Sequence, residues 1–353
     1  MMEFDQTSRR SYLKYATAGI GAGIASATAG CSDIIGDDDS DLDSMDMLWT
    51  EDSMAIPVAL AGEDVEAWEN EGIDLDVTVT GYGRYSQAIQ QGEANINNLN
   101  AAIYMNAYRD DEDIVLVGAT ETQVNGAFVR EESDIESLED FEDQHIGMPP
   151  RSTGTSMLML SMIQDELGID DLEDYASDVT YTDPPVLQEL LTEDEDIDVM
   201  FQFTGFTIQG RAEGSPVRQV FDPDEYWEDR TGENAIISFW GADRDWLENN
   251  PQQALDFLQG WENARDHTME NTSDVVDQYG ALAGFTADEE LAVYEDVLEE
   301  GAMPDIERWD DDMVDAQFDI LDLMVEFDFY DDRPDIDDDV FTHSELEDMA
   351  EDS

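Results

Sequence analysis

The sequence predicts an α/β protein of two lobes, one inserted within the other, and three observations predict it. From Met45 onward strand-like and helix-like segments alternate, the pattern of parallel sheets covered by helices. About 300 residues follow that point, more than one core usually serves. Two stretches, "GAFVREESDIESLEDFEDQHIGMPP" and "ENAIISFWGADRDWLENNPQQALDFL", leave one strand-like segment, pass a charged surface and begin new structure. Two such crossings place one lobe inside the other. The expected division is a signal over 1–30, a tether over 31–44, a first lobe made of 45–132 and 233–353, and a second lobe over 133–232.

The chain begins with "SRRSYLKYATAGIGAGIASATAGC" over residues 8–31: Arg9, Arg10 and Lys14, then an uncharged run from Tyr15 to Gly30, then Cys31. That is the layout of an export signal. The run falls short of the ~18 to 20 apolar residues that span a bilayer, and Gly19, Gly21 and Gly23 weaken it as a helix, so a stable transmembrane anchor is the poorer reading. Ser8-Arg9-Arg10-Ser11-Tyr12-Leu13-Lys14 resembles the twin-arginine signal, and Thr28-Ala29-Gly30-Cys31 resembles the lipobox of lipoproteins. That resemblance implies cleavage before Cys31 and a lipid anchor on its thiol. As the single cysteine of the chain, Cys31 also excludes an internal disulfide and any cysteine-rich metal site.

The tether that follows is mostly Asp, Ser and Gly, with little to bury. Asp37, Asp39 and Asp41 alternate as in a calcium loop, but Leu42 stands where the sharp turn needs glycine and Leu48 where a bidentate glutamate belongs. Beyond it, "IDLDVTVTG" puts Ile73, Leu75, Val77 and Val79 on one face of a strand. "DIVLVGAT" reads as a short buried strand, and "HIGM", "DVTYT" and "IDVMFQF" look similar. Residues 154–167 carry a helical stripe of Met157, Leu160, Ile163 and Leu167, closed by Gly168 as a C-terminal stop.

The formal net charge is −76, with 14 basic residues against 90 carboxylates. Without residues 1–30, eleven arginines, no lysine and 88 carboxylates remain, a net of −77. In dilute buffer such repulsion strains a compact state, whereas at molar salt the Debye length falls to ~3 Å and screens it. A chain that is 41% hydrophobic with 7 Trp has a core to fold around, so adaptation to brine explains the acidity better than disorder does. Nucleic acid is repelled and finds no basic patch.

"SMAIPVALAGEDVEAWENEGIDLDVTVTGYGRYSQAIQQGEANINNLNAA" resembles the opening of the substrate-binding proteins of ABC importers for nitrate, sulfonates, taurine and thiamine-pyrimidine precursors. "SLEDFEDQHIGMPPRSTGTSMLML" resembles that family's central motif, in which a strand runs into a Ser/Thr/Gly loop that opens a helix. "ISFWGADRDWLENNPQQALDFLQGW" resembles its returning crossover strand and helix. The likeness covers most of residues 45–270, with Asn95 in place of the acidic residue usual in "GEADI". It implies a periplasmic-binding-protein type II fold, each lobe a mixed, mostly parallel sheet flanked by helices with a ligand cleft between them. It further implies a lipid-anchored monomer outside the cytoplasmic membrane that captures a small molecule and delivers it to an ABC permease and its ATPase, without a cofactor.

Ligands of open α/β sheets sit beyond the carboxyl ends of the strands, and polar or aromatic residues occupy those ends here. The candidate ligand contacts are Trp49, Thr50 and Ser53 after the first strand, Tyr82 and Arg84 in "GYGR", Asn98 and Asn100 after the third strand, and Thr120 after the fourth. The second lobe adds Arg151, Ser152, Thr153, Gly154 and Thr155 from "PPRSTGTS", with Phe201 and Thr204. Free N–H groups at a helix start, flanked by hydroxyls and an arginine, suit an oxyanion, although the same residues serve plain helix capping. With Arg84 and Arg151 on opposite lobes, the expected ligand is a small organic anion, an alkanesulfonate such as taurine first, a pyrimidine second and nitrate third.

Enzymatic signatures are absent. His145, His267 and His343 lack metal-ligand spacing, and neither a phosphate loop nor a G-x-S-x-G pattern occurs. The rival to a receptor is an enzyme on the same fold, such as the pyrimidine synthases that resemble this family, with His145 as its only candidate near a strand. Acid pairs are everywhere, so a residue such as Glu121 does not stand out from the acidic background.

Overall fold

The computed structural model describes residues 42–353 apart from 51–52, 81–83, 85–87, 90–93, 152, 194–195 and 286. The signal, Cys31 and the tether to residue 41 lie outside the described residues, as do Tyr82 and Ser152.

In chain order the first lobe opens with β1 (Asp43–Thr50), α1 (Ile56–Asp64), β2 (Ile73–Thr80), β3 (Ile96–Asn100), α2 (Ala101–Arg109) and β4 (Ile114–Thr122). The second lobe comprises β5 (Gly126–Arg130), β6 (His145–Met148), α3 (Gly154–Leu167), α4 (Leu172–Tyr175), β7 (Asp178–Tyr181), α5 (Pro184–Thr192), β8 (Val199–Gln202), α6 (Thr204–Arg211) and β9 (Val217–Phe221). The chain returns through α7 (Pro223–Thr231) to β10 (Ile236–Asp243), followed by α8 (Arg244–Asn249), α9 (Pro251–Glu270), α10 (Thr272–Tyr279), α11 (Asp288–Glu299), α12 (Asp311–Glu326), α13 (Ile336–Asp339) and α14 (His343–Asp352).

The strands form two five-stranded sheets of matching plan, β2-β1-β3-β10-β4 and β7-β6-β8-β5-β9. In the first, β1 runs parallel to β2 and β3 while β10 lies antiparallel between β3 and β4. In the second, β6 runs parallel to β7 and β8 while β5 lies antiparallel between β8 and β9. Each sheet's antiparallel strand is the one reached by a crossing between lobes. The first crossing therefore falls at Gln123–Asn125, earlier than the boundary at 132–133 that the sequence suggested. "GAFVR" reads as a continuation of the preceding strand, but its partners are β8 and β9, so it belongs to the second lobe. The first strand likewise starts at Asp43, inside the expected tether.

Both faces of the first sheet are covered, and this decides the fate of β1. Met45, Met47 and Trp49 point into one core with Phe257, Leu258 and Trp261 of α9. Leu48 points the other way, into a core with α2 and α12. Trp49, Trp240 and Trp261 meet in edge-to-face and tilted pairs with centroids 5.3–5.7 Å apart, each such pair adding ~0.5 to 1.5 kcal/mol beyond area burial. In the second lobe Phe201 meets Phe141 edge-to-face at 6.0 Å inside a core that includes Ile146, Leu160 and Ile163.

Helix α3 forms as its stripe predicts, ends with Gly168 in the left-handed conformation at φ 63°, and serves two cores. Met159, Leu160 and Ile163 pack within the second lobe, whereas Met157, Leu158 and Met162 join the first-lobe core around α2 and α12. Its first residue, Gly154, abuts α2 so closely that a Cβ there would lie 2.7 Å from the Ala102 Cβ and 2.8 Å from the Asn100 Oδ1. The absence of a side chain at 154 thus sets how near the lobes come.

Candidate functional site

A cleft of about 820 Å³ opens between the sheets, at the carboxyl ends of β3, β4, β6 and β8. This is where open α/β sheets hold ligands. The second lobe lines it with helix starts: Thr153, Gly154 and Thr155 of α3, Pro184 and Pro185 of α5, and Thr204, Gly205 and Phe206 of α6.

The helix starts differ in what they offer. At α3, Thr153 is the N-cap: its Oγ1 accepts from the Ser156 N–H at 3.4 Å and lies 3.0 Å from the Pro150 carbonyl. Among the described residues the N–H groups of Gly154 and Thr155 meet no protein acceptor. At α6 the N-cap is Phe203, which has no side-chain acceptor, so the first turn is left uncapped. Both starts present N–H donors and the positive end of a helix dipole to the cleft.

The first lobe contributes a carboxylate. Glu121, near the end of β4, is 5% exposed and lines the cleft. Its Oε1 accepts from the Ala55 N–H at 2.9 Å and from the Ser53 hydroxyl. Ala55 is the N-cap of α1, so Glu121 fills from within the molecule the kind of position that is open at α3. Burial pushes the Glu121 carboxyl above the usual carboxylate range, and the bonds from Ser53 and Ala55 oppose that shift. Tyr294 packs nearby, its hydroxyl donating to the Met54 carbonyl at 2.5 Å, and burial together with the Glu121 charge raises the phenol well above its ordinary value.

Register ties these groups together. Ser238 of β10 stands opposite Asn100 on one side and Glu121 on the other, and all three line the cleft. Two strand spacings of ~4.8 Å put Asn100 and Glu121 roughly 10 Å apart along this row. Because Gly154 sits against Asn100, the α3 start lies at one end of the row and Glu121 at the other. Asn125, in the crossing, is fully buried and also lines the cleft, with its Oδ1 lacking a partner among the described residues. Phe203, Phe206 and Phe285 supply the apolar walls.

Of the residues expected from sequence, Ser53, Asn100, Thr153, Gly154, Thr155 and Thr204 line the cleft, and Thr50 ends β1. Others are placed elsewhere. Trp49 and Phe201 are core residues, because a central strand covered on both faces buries aromatic side chains whichever way they point. Asn98, opposite Trp240, and Thr120 are buried within the first sheet. Arg84 is exposed and is not among the lining residues. The Arg151 guanidinium donates to Glu173 at 2.7 Å, lies 3.9 Å from Asp171 and sits 5.5 Å over the Phe329 ring, outside the cleft lining. Neither arginine is among the described residues that line the cleft.

Among the described lining residues the charged ones are Glu121 and Asp183, both acidic. Glu121, Asn125, Ser238, Phe206 and Phe285 were not foreseen as contacts. An acidic residue closing an otherwise apolar strand, "IVLVGATET", was the available signal for Glu121.

His145 begins β6, at the opposite end of that strand from the cleft, and its Nε2 is engaged with Thr180 Oγ1 at 2.8 Å. The histidine that an enzymatic reading required is thus remote from the cleft.

Comparison with known proteins agrees with this architecture. The periplasmic aliphatic sulphonate binding protein SsuA of Escherichia coli superposes with a TM-score of 0.69 at 16% identity, over 84% of this chain and 92% of that one. The alkanesulfonate-binding protein SsuA of Xanthomonas axonopodis pv. citri, bound to MOPS, gives 0.63 at 12% identity over 84% and 98%. The desulfurization enzyme DSZB gives 0.58 at 16% identity over 88% and 99%, so the fold also carries an enzyme. No curated protein matches the sequence. The NMT1/THI5-like family model matches residues 66–274, more than half of the chain and strands of both sheets, and the chain belongs to that family.

Proposed function

We propose that this chain is the extracytoplasmic solute receptor of an ABC importer, closing two lobes on a small sulfonate of the taurine kind and presenting it to the permease. The observation that carries this is the interlobe cleft faced by the starts of α3 and α6, where N–H groups and threonine hydroxyls can receive an oxyanion without a cationic side chain. The sulfonate-binding proteins of the same fold support the choice of solute. Binding by differential affinity for the closed state is sufficient for a receptor, and the described lining holds neither a histidine nor a cysteine. A second reading, an aminopyrimidine, is favoured by Phe203, Phe206 and Phe285 beside an acidic acceptor.

Thermal shift in molar potassium chloride tests the proposal. Taurine and ethanesulfonate at about 100 times their Kd raise stability by about 2.7 kcal/mol. A shift with an aminopyrimidine and none with sulfonates replaces the solute and keeps the receptor.

Location and salt dependence belong to the same proposal. The twin-arginine-like signal supports export, and Cys31 supports a lipid anchor. Cys31→Ser releases the mature protein from membranes, whereas retention would make the uncleaved segment the anchor. Diluting salt from molar to ~0.1 M lengthens screening to ~10 Å and lowers the unfolding midpoint.

A further inference from the structure

The two sides of the cleft differ in what they offer a solute. The second lobe offers donors at two helix starts, in the open N–H groups of Gly154 and Thr155 and the uncapped start of α6, beside one carboxylate, Asp183, at the start of α5. The first lobe offers acceptors. Glu121 occupies the α1 start, and its Oε1 carries the bonds from Ser53 and Ala55 while the side chain lines the cleft. Asn125, fully buried beside the same space, has an oxygen with no partner among the described residues. Buried acceptors left without donors are costly, and a carboxylate in this position repels any anionic group brought to the first-lobe end.

We propose that Glu121 is a specificity-determining residue that selects a dipolar solute, with its ammonium end against Glu121 and its sulfonate end at the start of α3. This rests on the sulfonate-receptor reading and assigns to Glu121 the discrimination between aminosulfonates and plain alkanesulfonates. The row Asn100–Ser238–Glu121 supplies the span: roughly 10 Å of backbone separation leaves room for a two- or three-carbon chain once a hydrogen bond of ~2.8 Å is set at each end. An ammonium replaces the water that otherwise solvates the carboxylate and favours its ionised form, opposing the effect of burial. A simple alkanesulfonate brings methyl or methylene groups to the same place, leaving the Asn125 oxygen without a donor and the carboxylate with only its bonds from Ser53 and Ala55. Such unpaired groups are the source of large discrimination between analogues that differ by one polar group.

The test is calorimetric titration in molar potassium chloride of the mature chain and of Glu121→Gln and Glu121→Asp, with taurine, 3-aminopropanesulfonate, isethionate and ethanesulfonate as probes. The wild type is expected to bind the aminosulfonates at least ~10-fold more tightly than ethanesulfonate, the scale of one charge-assisted hydrogen bond. Glu121→Gln, which keeps an acceptor oxygen for Ala55, is expected to bring the two classes within about threefold. Glu121→Asp keeps the charge and restores part of the preference, and circular dichroism melts establish that both variants are folded. Equal binding of taurine and ethanesulfonate by the wild type overturns the role of Glu121 and leaves the sulfonate receptor standing. So does an undiminished preference in Glu121→Gln. Failure of all four probes to bind overturns the sulfonate reading and this inference with it.

Discussion

Glu121 accepts a hydrogen bond from the Ala55 N–H at 2.9 Å, across 66 residues of sequence, so the end of β4 is fastened to the start of α1 by a buried carboxylate. The strand and the helix belong to the same lobe, and the fastening fixes one wall of the cleft.

Removing that carboxylate entirely takes the acceptor from the Ser53 hydroxyl and leaves the Ala55 N–H only the Ser53 Oγ at 3.1 Å. Glu121→Ala is expected to cost ~1 to 3 kcal/mol in chemical denaturation, the range for a buried polar group left unpaired. Glu121→Gln retains an acceptor and should cost less than Glu121→Ala. Equal losses in the two variants would mean that the bond to Ala55 contributes little.

Asp224 holds the returning chain at the second crossing, accepting from the Ala235 N–H at 2.7 Å and from Asn234 Nδ2 at 3.2 Å. Burial raises its carboxyl from 3.8 to about 7, against the pull of the Ala235 bond. An acid raised in the folded state favours the protonated form. Its contribution is fully present below the unfolded value near 4 and is lost as pH rises through about 7. Asp224→Asn does not titrate, so the variant's midpoint should gain on the wild type between pH 4 and 7 and hold that gain above it. A constant difference across a pH series of melts would contradict the shift.

Gly154 governs the approach of the lobes. A Cβ at that position would lie 2.7 Å from Ala102 Cβ and 3.2 Å from the Ala102 N, contacts that the neighbouring helix start has little freedom to relieve. Gly154→Ala should cost ~1 to 3 kcal/mol through overpacking, read as a lower unfolding midpoint without solute, and should weaken solute binding. Small-angle scattering with saturating solute should report a more open particle than the wild type.

Phe201 tests the reassignment from ligand contact to core. Phe201→Ala should destabilise the protein by ~3 to 5 kcal/mol, the usual cost of emptying a buried aromatic site. The preference among probe solutes should be unaltered in the folded variant. A change in selectivity without a loss of stability would return Phe201 to the cleft.

The fold was legible because its signals are local. The apolar alternation of Ile73–Thr80 and the stripe and terminal glycine of α3 specify their elements with no knowledge of their partners. The crossing at Gln123–Asn125 was not legible, because nothing in "GAFVR" distinguishes a strand paired with β8 from a continuation of β4.

The cleft was legible where function coincides with helix starts, at Thr153, Gly154, Thr155 and Thr204. It failed for Trp49 and Phe201, because strands buried on both faces carry no mark telling the ligand side from the core. Arg151 misled for another reason: in a chain so rich in carboxylates, Glu173 and Asp171 engage its guanidinium before any ligand does. Glu121 was hidden by the same abundance, since only burial separates it from the solvated acids around it.

The position of β10 also governs the order in which the polypeptide can be completed during synthesis. Among the described strands β4 pairs only with β10, its other side meeting a single bridge from Leu116 to Val340, and β10 is made more than a hundred residues later. The second lobe has all of its strands by Phe221 and can assemble while the first lobe still lacks the strand that joins β3 to β4. Until then "IVLVGAT" is an apolar segment with no partner, the kind that invites pairing between nascent chains. A ribosome that stops short of Ile236 therefore releases a product with one finished lobe and one adhesive edge, whereas passage through Asp243 closes both sheets.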